Sequence, residues 1–112
     1  MNKYFAVRIS LQNLDNKNKL EYKSLYNQLK SKGFRDYYFI NDQEYLLPEG
    51  MYAIMAFDYT SEAVLNVAEE CIEKALKPYY PSYWSDKYTL LLSGPSILYN
   101  RNLEKVNQAA NE

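Results

Sequence analysis

The stretch that decides the fold is Met51-Tyr-Ala-Ile-Met-Ala-Phe-Asp58, in which seven apolar residues follow one another before the first charge. Alternate residues of a strand point to opposite faces, so this run predicts a strand that is apolar on both faces. A face in contact with water is rarely so apolar, and we therefore expect a cover over the second face of its sheet. Candidate covers are a second protomer, the C-terminal tail and a partner protein. The simplest is a homodimer through the open sheet face.

The patterns on both sides of this strand complete a β-α-β-β-α-β order. Further strands are indicated at 4–11, at 35–40 with a continuation at 44–47, at 87–93 and optionally at 96–99; helices are indicated at 18–32 and from 60 or 61 to 76. Right-handed crossovers place both helices on one face of an antiparallel sheet with strand order 4-1-3-2. The sequence thus predicts an α+β, ferredoxin-like split β-α-β sandwich over residues 1–99, with a polar C-terminal tail over 100–112.

Local signals set the ends of the first helix. Asn18 and Glu21 have the spacing of a capping box, with Asn in place of the usual Ser or Thr. At the other end, Gly33 supplies a residue that adopts the left-handed conformation, so that Phe34 can fold back on Leu29. These signals predict where the chain enters and leaves the helix.

The composition limits the chemistry that the chain can perform. Its 112 residues suffice for one domain, and a lone cysteine, Cys71, excludes an internal disulfide and falls in the apolar stripe of the second helix. Histidine is absent and one cysteine cannot build a structural zinc site, so we predict no metal and no cofactor. No apolar run is long enough to span a membrane and no signal-peptide pattern opens the chain, which predicts a soluble cytoplasmic protein.

Charge is distributed unevenly along the chain. Residues 1–35 carry eight basic and two acidic side chains, whereas the remainder carries five basic and twelve acidic ones. Such asymmetry indicates either an anion-binding face or two solvated surfaces of different composition. The sequence leaves both interpretations open.

An aromatic loop, Tyr79-Tyr80-Pro81-Ser82-Tyr83-Trp84, connects the second helix to the last strand. Its two prolines restrict the backbone, which favours a preformed binding surface. The same rings would also serve as a hydrophobic lid beneath the second helix. Both interpretations stay open at this point.

A family resemblance rests on the order of the elements and on a few turn residues. The first helix ends in Ser31-Lys32-Gly33-Phe34, Leu47-Pro48 precedes the third strand, and Tyr59-Thr60-Ser61-Glu62 opens the second helix. Over about residues 3–93 this layout resembles the GhoS-type antitoxins, which are similar in fold to the small CRISPR-associated endoribonucleases. The resemblance implies binding or cleavage of RNA, typically the transcript of a toxin in a toxin-antitoxin pair.

One position departs from the pattern of the CRISPR-associated relatives, in which an Asp closes the first strand. The matching residue is Ser10, or Arg8 if the register slips by two residues. A carboxylate at that position would bind a hard metal cation, and neither Ser10 nor Arg8 supplies one. The departure therefore argues against metal-assisted hydrolysis. We therefore expect metal-independent chemistry if the protein cleaves RNA.

The charge pattern and the resemblance together select the candidate site residues. The candidate catalytic residues are Arg8 and Ser10, and the candidate RNA-binding residues are Tyr4, Lys17, Lys19 and Arg35. Cations would neutralise phosphate and stabilise the charge of a cleavage transition state, and a hydroxyl from Ser10 or Tyr4 would orient a ribose 2′-hydroxyl. The sequence identifies no general base. Arg8 would serve equally well as a solvated surface cation or as a cation that bridges the two protomers of a dimer.

A second class of function stays open beside RNA binding. The chain would also suit a non-enzymatic protein-interaction module, such as a phage, plasmid or mobile-element regulator. It would then act through its apolar sheet face or through the acidic second helix, which carries Glu69, Glu70 and Glu73.

Overall fold

The structure is a computed structural model that describes residues 2–15 and 20–106. In chain order its elements are β1 (Tyr4–Leu11), α1 (Leu20–Ser31), β2 (Tyr37–Ile40), β3 (Gln43–Leu46), β4 (Met51–Met55), α2 (Ser61–Leu76), a short 3-10 helix (Trp84–Asp86) and β5 (Tyr88–Ser96). The strands form two antiparallel sheets, one ordered β4-β1-β5 and the other made of β2 and β3. The predicted α+β class is confirmed.

β1 is the central strand of the larger sheet, and its alternating sequence determines which face it buries. The side chains of Phe5, Val7 and Ile9 lie in the main core, into which both helices also project their apolar residues. The register pairs Arg8 with Met51 of β4 on one side and with Leu91 of β5 on the other. Even-numbered residues of β1 therefore point to the second face of the sheet, away from the helices.

The helix ends follow the local signals where the structure describes them. The Thr60 hydroxyl accepts a hydrogen bond from the Ala63 amide at 3.1 Å and so caps α2. At the end of α1, Gly33 has a φ of 99° and the Phe34 amide donates to the Leu29 carbonyl at 3.0 Å, as predicted. The predicted cap at Asn18 lies outside the described residues.

The predicted four-stranded sheet with strand order 4-1-3-2 is not what the structure has. The segment expected to form one second strand divides into β2 and β3, which pair with each other as a separate sheet. Asn41 and Asp42 both have positive φ, 51° and 63°, which is the geometry of a tight two-residue hairpin turn. The chain therefore reverses at this turn, and within the described residues the backbone of this segment pairs with β4 through the bridge from Arg35 to Ala53.

The last strand is longer than predicted, and no separate strand forms at 96–99 within the described residues. Gly94 was expected to end the strand, but β5 continues to Ser96 through a bulge in its pairing with β1. The bulge is possible because Gly94 adopts a φ of 107°, a conformation that residues with a side chain rarely adopt.

The hairpin β2–β3 covers part of the second face of the larger sheet. Tyr38 packs with Tyr4 and Ala53 in a second, smaller core, and the rings of Tyr4 and Tyr38 meet edge to face with centroids 6.0 Å apart. The Phe39 amide donates to the Tyr4 hydroxyl at 3.1 Å. The apolar second face around Ala53 is thus covered by the chain's own hairpin, which supplies the cover that the run at 51–58 requires.

Residues beyond the predicted domain end also join this second layer. The Leu46 amide donates to the Glu104 carbonyl at 2.8 Å, and the Val106 amide donates to the Glu44 carbonyl at 3.0 Å. Leu103 packs against the second core. Residues 100–106, the described part of the predicted polar tail, therefore pair with β3 and pack against the hairpin.

The bulge at Gly94 generates a stability prediction. A Cβ added at Gly94 would lie 2.5 Å from the Tyr4 carbonyl oxygen and 3.2 Å from the Phe5 Cα, in a backbone conformation that L residues rarely adopt. We expect Gly94→Ala to lower the free energy of unfolding by about 1–3 kcal/mol, measured by urea denaturation. The neighbouring exposed position provides the control, since Ser93→Ala should change it by less than about 0.5 kcal/mol. Equal stability of the two variants would contradict the prediction.

Candidate functional site

The hairpin leaves the other half of the second sheet face uncovered. We call this half the open face; it consists of Arg8 and Ser10 of β1 and of Thr89, Leu91 and Ser93 of β5. All five residues are exposed, and the register places Arg8 beside Leu91 and Ser10 beside Thr89. The open face therefore presents one guanidinium, three hydroxyls and one apolar side chain on two neighbouring strands.

Arg8 is available for a ligand. Among residues 2–15 and 20–106 the ion pairs are Lys74–Glu70 at 3.1 Å on α2 and Lys77–Glu73 at 3.0 Å at its C-terminal end, and Arg8 takes part in neither. An Arg on a central strand with no carboxylate partner in the described structure can offer its forked donors to an anion. The structure thus brings Arg8 and Ser10, the two candidate catalytic residues, together on one surface.

A depression of about 300 Å³ borders the open face where β1 extends beyond the end of β4. Its lining comprises Arg8, Ile9, Ser10, Tyr22, Glu49 and Gly50. The Ile9 amide still donates to the Gly50 carbonyl at 2.8 Å. Beyond this hydrogen bond the backbone of β1 bonds to a side chain instead of a strand on this side. The Tyr22 hydroxyl accepts a hydrogen bond from the Leu11 amide at 3.0 Å and donates one to the Leu11 carbonyl at 3.2 Å. The wall of the depression is therefore held in position by hydrogen bonds.

Glu49 is the member of this group that sequence reasoning missed. Its carboxylate is exposed and shares the depression with Arg8 and Ser10. Pro48-Glu49-Gly50 indicates only a turn in the sequence, and nothing in its spacing relates Glu49 to Ser10, about 40 positions earlier in the chain. A carboxylate that lines the same depression as a serine and an arginine is a candidate general base.

The remaining predicted site residues lie elsewhere or are not described. Tyr4 is buried in the second core with its hydroxyl bonded to the Phe39 amide, so its ring has no open surface on which a base could stack. Arg35 lies beyond β4 and donates to the Lys30 and Phe34 carbonyls at 2.9 and 2.8 Å, where it holds the end of α1. Lys17 and Lys19 lie outside the described residues. The structure therefore does not bring Tyr4 or Arg35 onto the open face with Arg8.

The aromatic loop turns half of its rings inward. The Tyr80 hydroxyl accepts from the Asp15 amide and donates to the buried Glu21 carboxylate, both at 2.7 Å. Trp84 stacks on Tyr88 with ring centroids 6.1 Å apart. Tyr80 and Trp84 thus act as a lid over the core, whereas Tyr79 and Tyr83 are exposed.

Buried groups in the main core, among them Cys71 and Tyr52, have raised pKa values. Burial raises the pKa of the Cys71 thiol, as expected for the small core residue that its position predicts. Burial, with smaller contributions from Tyr22 and Asp36, raises the pKa of Tyr52 to about 12. Tyr52 stacks on Tyr26 with ring centroids 5.9 Å apart.

Comparisons with family models, with curated proteins and with solved structures find no match. The resemblance to the GhoS-type antitoxins therefore stays a prediction. None of the helices in the described part of the chain is long and apolar enough to cross a membrane. Residues 2–15 and 20–106 contain no group of three or more His, Cys, Asp or Glu side chains that could hold a metal ion.

The raised pKa of Tyr52 generates a prediction on pH dependence. Below pH 10 the phenol is protonated in both the folded and the unfolded chain. Between about pH 10 and 12 the unfolded chain releases this proton while the folded protein retains it, so the free energy of unfolding should fall as the pH rises through this window. We expect Tyr52→Phe to reduce that fall, measured by urea denaturation at several pH values. The exposed Tyr83→Phe should leave the slope unchanged, and an unchanged slope in Tyr52→Phe would refute the assignment.

Proposed function

We propose that this protein binds RNA on the open face, and the observation that carries the proposal is the exposed Arg8 guanidinium among hydroxyls on the central strand. A guanidinium binds phosphate through two parallel hydrogen bonds. Ser10, Thr89 and Ser93 offer donors and acceptors to sugar hydroxyls, and the 2′-hydroxyl of RNA can serve as both. Leu91 supplies an apolar contact for a base between these polar groups.

The electrostatics of the chain support a polyanionic ligand. The first 35 residues hold an excess of six positive charges; of their described basic residues, Arg8 is the one on the open face, whereas Lys23 and Lys30 lie on α1. Neutralising phosphates releases condensed counterions, so even a small number of cations gives measurable binding at low salt. The open face is shallow and lies on a sheet, which favours a single strand over a duplex.

We also propose metal-independent cleavage of the bound strand at the depression beside Arg8. Glu49 removes the proton of a ribose 2′-hydroxyl, and that oxygen attacks the adjacent phosphorus. The bond from phosphorus to the 5′-oxygen then breaks, which leaves a 2′,3′-cyclic phosphate and a 5′-hydroxyl that takes up a proton. Arg8 stabilises the negative charge that accumulates on the phosphate oxygens, and Ser10 orients the attacking hydroxyl.

We propose in addition that the fold is a variant of the ferredoxin-like arrangement. The support is that β1 lies between β4 and β5 and that the apolar sides of both helices share one core with the same face of the sheet. The hairpin β2–β3 then replaces the usual second strand. If the resemblance to the GhoS-type antitoxins extends to function, the bound RNA is the transcript of a toxin.

A second candidate function has its own observation. Between α1, β4 and α2 lies an apolar cleft of about 280 Å³ whose lining includes Phe34, Ile54 and Val67. Tyr59, which also lines the cleft, is 50% exposed, and Phe57, two positions earlier in the chain, is 72% exposed. Exposed aromatic rings beside an apolar cleft are typical of a surface that receives side chains of another protein. This cleft favours the protein-interaction module as the alternative.

The RNA-binding proposal predicts a charge-specific loss of affinity. We expect Arg8→Gln to weaken binding of a single-stranded RNA by at least about tenfold, since a charge-assisted hydrogen bond to phosphate is lost. The slope of log affinity against log salt should also fall by about one. Fluorescence anisotropy over a range of salt concentrations measures both. The control is Lys23→Gln, which removes an exposed charge from α1 and should change affinity far less. Equal effects of the two substitutions, or no binding by the unaltered protein, would overturn the proposal.

The cleavage step predicts a separation of binding from chemistry. Glu49→Gln keeps the size of the side chain but removes the base, so labelled RNA should be bound with unchanged affinity and left intact. Unaltered protein should produce fragments ending in a 2′,3′-cyclic phosphate, with and without a chelator. Glu44→Gln changes a carboxylate on the hairpin and should cleave normally. Cleavage by Glu49→Gln at the normal rate would remove Glu49 from the mechanism, and intact RNA with the unaltered protein would reduce the function to binding.

A further inference from the structure

β5 is an edge strand with no partner on its outer side in the described part of the chain, where it pairs with β1 alone. The direction of its backbone groups follows from the register. Ile9 donates to Gly50, so odd-numbered residues of β1 bond towards β4 and even-numbered ones towards β5. Arg8 therefore exchanges hydrogen bonds with Leu91, and the N–H and C=O groups of Leu90 and Leu92 point outward from the sheet.

Over its first six residues, before the Gly94 bulge and Pro95, the outer edge of β5 lacks the features that usually keep strand edges apart. From Tyr88 to Ser93 the strand contains no charged residue and no proline, and Leu91 is 68% exposed. Arg35 bridges to the outer edge of β4, and residues 104–106 bond to the outer edge of β3. Within the described part of the larger sheet, the edge without a partner is thus that of β5.

We propose that a second copy of this chain docks on the outer edge of β5, with the two β5 strands antiparallel and Leu91 opposite its own copy. This register joins the two three-stranded sheets into one continuous sheet of six strands. It places Leu90 opposite Leu92 of the second copy, where the outward N–H and C=O groups meet, and it places Thr89 opposite Ser93. The proposal is independent of the RNA-binding function.

The sequence of the edge favours a second copy over another partner. A two-fold axis beside Leu91 sets leucine against leucine and hydroxyl against hydroxyl, so the segment is complementary to itself. With no charge between Tyr88 and Ser96, no like charges oppose each other across the axis, and the whole chain carries a net charge of only −1. This interface is at the sheet edge, and it differs from the face-to-face homodimer that the sequence predicts.

The arrangement has a consequence for the open face. Arg8 and Leu91 share one row of the sheet, so the row would run from Arg8 through the two leucines to Arg8 of the second copy. Three strand spacings of about 4.8 Å separate the two arginines by roughly 14 Å. Both open faces would then lie on the same side of one sheet as a single surface.

A cross-linking experiment tests the register. In an antiparallel pair that is not hydrogen-bonded, opposing Cα atoms lie about 4.5 Å apart, within reach of a disulfide. We expect Leu91→Cys to form a covalent dimer under mild oxidation, seen on a non-reducing gel. Thr89→Cys is the matched control, because it would face Ser93 rather than itself and should remain largely monomeric. The native Cys71 is buried and should not compete. A failure of Leu91→Cys to cross-link, or equal cross-linking by both variants, would overturn the proposed register.

A charge-pairing experiment tests the interface without relying on cysteine chemistry. Leu91→Lys and Leu91→Glu should each sediment as a monomer, because like charges meet at the axis, while an equal mixture of the two should restore a dimer. Circular dichroism confirms that both variants are folded. Tyr83→Lys, which adds a charge to an exposed aromatic position away from β5, should stay dimeric. A monomeric unaltered protein, or a dimer that persists in each single variant, would overturn the proposal.

Discussion

The rest of the structure depends on the burial of β1 on both of its faces over its first half. Phe5 and Val7 pack into the main core, while Tyr4 and Ala6 are buried on the opposite side of the sheet. Burying a large apolar side chain is worth about 1.5–3 kcal/mol, so two layers over one strand contribute a large share of the stability of a chain this small. The helices and the hairpin are both organised around this strand.

The candidate site exists because the second layer covers only part of the sheet. β2 and β3 are four residues long, and the hairpin packs over Tyr4 and Ala53 but leaves Arg8 and Ser10 in contact with solvent. The N-terminal end of β4 lies at the same place. Beyond it the Tyr22 hydroxyl provides the hydrogen bonds that the Leu11 backbone would otherwise lack. The polar open face is thus the part of the sheet that the β2–β3 hairpin does not cover.

Local signals predicted the parts of the molecule that depend on neighbouring residues. The alternation of β1, the start of the second helix at 60 or 61 and the turn at Gly33 each depend on a few residues, and the structure has all three. The division into β2 and β3 was missed because a turn and a strand bulge have similar residue preferences. The role of residues 104–106 was missed because a polar segment shows no periodicity when its contacts are mostly backbone hydrogen bonds.

The sequence by itself determined the element types, the face of β1 that the helices cover, and the requirement that the strand beginning at Met51 be covered on both faces. Only the tertiary structure decided what supplies that cover and which polar residues meet. Glu49 lies in a turn far along the chain from Arg8, and the depression they share depends on where β4 stops. The physical reason is that hydrophobic periodicity records whether a side chain is buried, whereas the identity of its neighbours depends on strand pairing between distant segments.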